Sequence, residues 1–489
     1  MDNPDRVTYF AATDTRGKRI PFGIKQKDRA RHMYLVGKTG MGKSTLIENM
    51  AIQDIRNGEG LAFIDPHGDA AERLLNFVPE HRIKDVVYFA PFDLERPIAF
   101  NVMEDVSYER RHLVVSGLLS TLRKMWADVW TPRLEYVLTN TLLALLQYPH
   151  GTLLSANQML TDAAFRSNVL EHVTDPLVRD FWETEFTDSP SEPERRVLLA
   201  LQNKIRLLDG NPFIRNIIGR AETSFNLRDI MDTRKIFIAN LSRGLIGEGN
   251  MRLLGSMLTT SLFLAASGRA DVGPDELSKL PNFYYYVDEF QNFANDTFAT
   301  ILSEARKYKL SLVISHQYLE QMDQSVRAAV FGNAGTIVSF RVGPFDAEAL
   351  QTFFAPEFSK EDLVHLGTGQ IYLTLMIDHV ASRPFSATVI PPIEYPARSF
   401  RTEVITASRE TFGMKESVAP SDPSLGEVVQ HITQQSEHEQ AVRESLKSKS
   451  LKETLQTVLG KESISQSVPN KVPYEVPEEV LRGVLNEDI

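Results

Sequence analysis

The chain has no cysteine and only three tryptophans among its 489 residues. Without thiols there is no disulfide, no cysteine-ligated zinc and no thiol nucleophile, which fits a reducing compartment. Long hydrophobic runs are missing as well. The apolar stretch Met257–Ala266 is far shorter than the roughly eighteen residues a membrane helix needs. The opening residues, MDNPDRVTYF, are polar and acidic and hold no apolar signal core. Nor is positive charge in excess. A net charge of −11 argues against a surface coated for nucleic acid, although a basic channel lining stays open. No internal repeat is evident. These absences together predict a cytoplasmic protein. At 42% hydrophobic and 24% charged, the composition is that of a soluble globular chain with a sizeable core.

What is present centres on residues 31–57, RHMYLVGKTGMGKSTLIENMAIQDIRN. Within it Gly37, Lys38, Thr39, Gly40, Met41, Gly42, Lys43 and Ser44, with Thr45 beyond, satisfy G-x-x-x-x-G-K-[ST]. Glycines let the backbone form a nest of N–H groups that points at phosphate oxygens. Lys43 reaches the β- and γ-phosphates of ATP, and the Ser44 hydroxyl suits Mg²⁺. The flanks agree. Met33–Val36 reads as a short strand, and Leu46, Ile47, Met50, Ala51 and Ile55 recur at helical spacing before Gly58.

Along the chain, residues 1–30 form a lead-in with edge strands at 7–10 and 19–22. Strand and helix signals then alternate, with Gly60–Ile64 ending in Asp65-Pro66-His67-Gly68-Asp69, a helix at 70–77 and a strand at 86–89. That grammar marks a mostly parallel sheet. Residues 107–232 are almost purely helical in pattern and read as an all-α insertion. Strands resume at 235–241, 283–287, 310–315, 336–341, 370–376 and 385–390, with a polar linker at 268–280 and a capping box at Ser359. The expected fold is therefore α/β. A discontinuous phosphate-binding domain spans 31–106 and 233–395, and a partly helical or disordered tail spans 396–489. Helix at 425–459 and a docking peptide near 472–486 are the candidates within that tail.

Asp288 and Glu289 follow four apolar residues, at the carboxyl end of a buried strand, where open parallel sheets bind ligands. Asp288 is expected to hold the metal shell through water or Ser44, and Glu289 to orient or deprotonate the attacking water, closing on the phosphate loop from an adjacent strand. Gln317 stands past a strand expected beside that of Asp288, and its amide suits a γ-phosphate. Arg306 has two readings of equal weight, a helix-dipole partner and an arginine finger reaching another subunit. Asp69 reads as a helix N-cap and Asp65 as a residue near the metal. His67 has no second His or Cys at ligand spacing, which argues against a metal ligand. Arg195, Arg196, Lys204, Arg206, Arg215, Arg220 and Arg228 make a locally basic section, read mainly as solvated helix faces and secondarily as a DNA-facing surface.

With GKTGMGKST at 37–45, FIDPHGD at 63–69, YYYVDEFQNF at 284–293, SEARKYKLSLVISHQ at 303–317 and FRVG at 340–343, the chain resembles the HerA/FtsK superfamily of motor ATPases. It is more closely similar to the TraG/TraD-type coupling proteins of type IV secretion. The resemblance implies a RecA-like P-loop NTPase core in a homo-hexameric ring, ATP hydrolysis with Mg²⁺ at subunit interfaces and DNA moved through the channel. It also implies Gln317 as the γ-phosphate sensor and Arg306 as the finger. Membrane-bound coupling proteins carry N-terminal transmembrane helices, for which this sequence shows no signal. The expectation is either docking at the inner face of the membrane on a separate membrane or relaxosome protein, through the helical insertion or the tail, or a soluble translocase. Two rivals accompany it: a nucleotide-gated adaptor that recruits cargo, and a HerA-like translocase in DNA repair or packaging.

Overall fold

The computed structural model describes residues 3–14, 19–187, 191–294 and 296–415. Its strands are β1 Val7–Thr13, β2 Pro21–Lys25, β3 Met33–Val36, β4 Gly60–Asp65, β5 Val86–Phe89, β6 Ile236–Asn240, β7 Phe283–Val287, β8 Leu310–His316, β9 Thr336–Ser339, β10 Gln370–Thr374, β11 Met376–Ile377, β12 Val380–Ala381 and β13 Phe385–Val389. Eleven of them make one sheet in the order β2-β1-β13-β10-β9-β3-β8-β7-β4-β6-β5. From β9 to β5 every pairing is parallel. From β9 back to β2 every pairing is antiparallel. The sheet is thus a parallel core with an antiparallel extension. β2 holds the outer edge, and β1 lies one place inside it.

The parallel strands are buried on both faces, and alternate side chains enter two different cores, as the two-residue period of a strand requires. On β3, Tyr34 and Val36 point one way, and Met33 and Leu35 the other. On β7 the split is Phe283, Tyr285 and Val287 against Tyr284 and Tyr286. The second core lies under the helices Lys43–Arg56 and Asp69–Leu75. The first is larger, because it runs without a break into the helical block between β5 and β6. Leu118, Leu122, Leu138, Leu142, Leu201 and Ile205 of that block share it with the sheet. The helix Glu248–Ser267 joins the two by packing on the helix Arg111–Met125.

Two connections differ from the sequence reading. The polar linker at 268–280 is a 3-10 turn, Gly268–Val272, followed by a short helix, Pro274–Lys279. Arg269 is fully buried there, and its guanidinium donates to Asp232 (2.9 Å) and to the carbonyls of Pro281 (3.1 Å) and Tyr308 (3.0 Å). The matched Nε and Nη1 donors offset much of the cost of burying so long a polar side chain, while Nη2 is buried without a partner among the described residues. The chain after β13 does not leave the fold at residue 396 either. Asn49 holds the carbonyls of Ile390 and Pro391, Arg401 donates to Glu72, and the helix Arg401–Phe412 lies along β5. There Ser408 Oγ accepts the Tyr88 amide at 2.9 Å and Arg409 pairs with Asp93 at 2.6 Å. Residues 425–459 and 472–486 lie outside the described residues.

Candidate active site at the carboxyl edge of the sheet

The loop after β3 is tied at both flanks. Gly37 N donates to His316 O at the end of β8, and Lys38 N to Arg341 O just past β9. The glycines answer two steric demands. Gly42 has φ 113°, which other residues avoid, and a Cβ on Gly37 would meet the Phe340 Cβ at 2.5 Å. The loop turns directly into the helix at Lys43, so its amides and the positive helix end face the same space. The Lys43 ammonium is buried and donates to Gly37 O (2.6 Å) and Lys38 O (3.1 Å). Burial pulls its pKa below the ordinary lysine value, and Asp288 and Glu289 act against that pull.

Ser44 Oγ donates to Asp288 Oδ2 at 2.7 Å. The other Asp288 oxygen accepts from Ser315 Oγ and from the Glu289 amide at 2.9 Å. The expected encounter of loop and acidic pair is therefore present, but by a different route. β8 lies between β3 and β7, so Asp288 reaches Ser44 across an intervening strand. That strand supplies Ser315 beneath Asp288 and Gln317 beside Glu289. Gln317 Nε2 donates to Glu289 Oε1.

Glu289 takes the left-handed conformation, φ 47°, uncommon for a residue with a side chain. The turn brings its carboxylate toward the loop after β4, where His67 Nε2 lies 3.1 Å from Oε1. Burial raises the pKa of Glu289, but His67, Arg243 and Gln317 outweigh it and hold the carboxyl below its ordinary value. His67 moves the other way, raised chiefly by its hydrogen bond to Glu289. Asp65 does something else. Its oxygens accept the amides of His67 (2.8 Å) and Ala71 (2.9 Å), so the helix that follows is capped from β4. Gly68 occupies the N-cap position and Asp69 is the first helical residue, which corrects the expected cap. Ser315 and the His67–Glu289 contact were not foreseen. Ser315 was detectable only as the residue two before Gln317, on the same strand end.

Of the residues singled out, Lys43, Ser44, Asp288, Glu289 and Gln317 converge. Met41 is buried, while Thr39 and Gly40 are exposed on the loop. Arg306 is not part of this group. It is exposed just before β8 begins, at the opposite edge of the sheet from His316, about 20 Å away along the strand. The basic section of the helical block is largely answered by acids: Arg195 by Glu192 (2.6 Å), Lys204 by Asp128 (2.9 Å) and Arg228 by Asp232. Arg215 is buried and donates to the carbonyl of Asp209 at 2.8 Å. Among the described residues no helix is long and apolar enough to cross a membrane.

The family model for the type IV secretion-system coupling protein DNA-binding domain matches residues 18–347. The chain belongs to that family. The match takes in the phosphate loop, the helical block, the acidic pair and Gln317 in this coupling protein. Its fold is shared with the plasmid coupling protein TrwB in complex with ADP and Mg²⁺, at a TM-score of 0.56 and 14% identity over 82% of this chain and 92% of that one. TrwB in complex with a non-hydrolysable ATP analogue gives 0.53 at 14% identity, over 82% and 92%. No curated protein matches the coupling protein.

Proposed function

We propose that this coupling protein is an ATP-driven motor that moves or delivers DNA through a ring of identical subunits. The observation that carries the reading is the Ser44–Asp288 contact at 2.7 Å with Glu289 next in the chain, because it brings a second carboxylate beside the glycine-rich loop, where a general base would be needed. Lys43 would neutralise the β- and γ-phosphates, and the Gly37–Thr45 amides would hold them. Ser44 Oγ and Asp288 Oδ2 are hard oxygen donors. Among the described residues no cluster of three or more His, Cys, Asp or Glu side chains could hold a metal by itself. That donor set fits Mg²⁺, which takes few protein ligands and completes its shell with water and phosphate oxygens. TrwB was solved with ADP and Mg²⁺, in keeping with this assignment. When bound, the ion neutralises charge on the phosphates. Glu289 accepts the proton of the attacking water, and Gln317 turns from Glu289 to the γ-phosphate. Arg306, distant from its own phosphate loop and exposed, completes the site of the next subunit.

Steady-state ATPase with and without single- and double-stranded DNA tests the proposal, with Glu289→Gln as the inactive reference. DNA-stimulated turnover is expected. A slow rate indifferent to DNA favours a nucleotide-gated adaptor, a reading supported by the local pairing of the basic section.

A further inference from the structure

Glu289 is gripped from two strand ends, and its two oxygens are unequal. Oε1 accepts from Gln317 Nε2 and lies 3.1 Å from His67 Nε2. Among the described residues Oε2 meets the Asn292 amide nitrogen at 3.5 Å, at the outer limit of a hydrogen bond. The first oxygen is anchored twice, and the second is left to accept a proton. His67 is suited to anchoring because its own backbone is pinned. Its amide donates to Asp65 Oδ1 at 2.8 Å, and the carbonyl of the preceding Pro66 accepts from Arg243 N at 3.0 Å. With Nε2 protonated, the imidazole donates to Glu289 Oε1 from a fixed turn.

We propose that His67 is the positioning residue for the general base, keeping Glu289 Oε1 engaged when Gln317 is drawn to the γ-phosphate, so that Oε2 faces the attacking water. The proposal rests on the ATPase reading above. The amide of Gln317 cannot serve the γ-phosphate without loosening its hold on Glu289, and at that moment His67 is the remaining anchor on Oε1. A carboxylate free to swing loses the geometry on which general-base catalysis depends, and misplacement by about 1 Å costs up to about a hundredfold in rate.

The test uses the full chain and compares wild type, His67→Ala and His67→Gln, with Lys43→Ala as control. The glutamine is informative because its Nε2 falls where the imidazole Nε2 stood. Turnover is measured over a range of ATP concentrations, nucleotide affinity with a fluorescent ATP analogue, and folding by thermal melts. His67→Ala is expected to lower kcat about ten- to a hundredfold. KM and analogue affinity should stay within about twofold, and His67→Gln should recover most of the loss. A His67→Ala variant with wild-type kcat overturns this proposal alone. So does a kcat loss that His67→Gln leaves uncorrected, or one accompanied by lost analogue affinity or a lowered melting temperature, since each marks His67 as a structural support. A wild-type chain that binds the analogue without turnover overturns the hydrolase reading and this proposal with it.

Discussion

Asp65 and Asp288 end neighbouring parallel strands, β4 and β7, at the same edge of one sheet. Both are buried and both follow apolar strands, yet they do different things. Asp65 accepts two amides of its own turn and caps a helix. Asp288 accepts hydroxyls from two other elements, Ser44 and Ser315. The difference lies in what each chain does next. After Asp65 it doubles back through Pro66-His67-Gly68, and its own N–H groups consume the carboxylate. After Asp288 it turns at Glu289, leaving one oxygen to reach across β8. Residue type and strand position are common to the two; the path of the following few residues separates them.

The largest effect is expected outside that pair. Arg306→Ala should cut turnover in the assembled ring by about 10³–10⁵ while sparing ATP affinity. Retained turnover would mean that the carboxyl edge is complete within one subunit and would return Arg306 to a helix-dipole role. Asp288→Ala should lower turnover about a thousandfold through loss of the oxygen that Ser44 meets, with a melting temperature lowered no more than that of Asp65→Ala. A large drop in melting temperature would erase the contrast with Asp65.

Two further outcomes concern stability. Burial pushes the imidazole of His32 down to about 4 and that of His316 down to about 3, so both are neutral in the folded chain at neutral pH. The unfolded chain binds these protons near pH 6.5, hence stability should fall as the pH drops from about 6.5 toward 4, by roughly 3 kcal/mol for His32. Denaturant titrations at pH 7 and 4.5 measure this, and His32→Gln should flatten the decline. An equal decline in that variant would exclude His32 as the cause. Smallest is Asp65→Ala, which should cost about 1–3 kcal/mol by orphaning two amides. Its turnover should fall no further than that of His67→Ala. A loss as deep as that of Asp288→Ala would show that Asp65 serves the chemistry directly.

The phosphate loop was legible because its demands are local. Eight residues carry the glycines, the lysine and the hydroxyl, with Gly42 answering the backbone angle and Gly37 the close approach of Phe340. Asp288 and Glu289 were legible as the end of an apolar strand. The helical nature of residues 107–232 was legible from leucine spacing, as at Leu138 and Leu142. Its shared core with the sheet was not, since both partners look equally apolar in sequence. His67 was weighed only as a metal ligand. Its carboxylate partner sits 222 positions later (289 − 67), on a strand whose neighbours no local pattern announces.

The amino-acid order alone announced most strands of the sheet, the helical block and the eight-residue loop of glycine, lysine and serine, because those properties arise from contacts within a few positions. The helical turns at 268–279 and 401–412 left no such signal. Tertiary structure decided that β8 lies between β3 and β7, that Asp65 is consumed by its own turn, and that His67 meets Glu289. Those outcomes depend on which strands pair, and pairing is chosen by the whole buried sheet rather than by any one stretch of it.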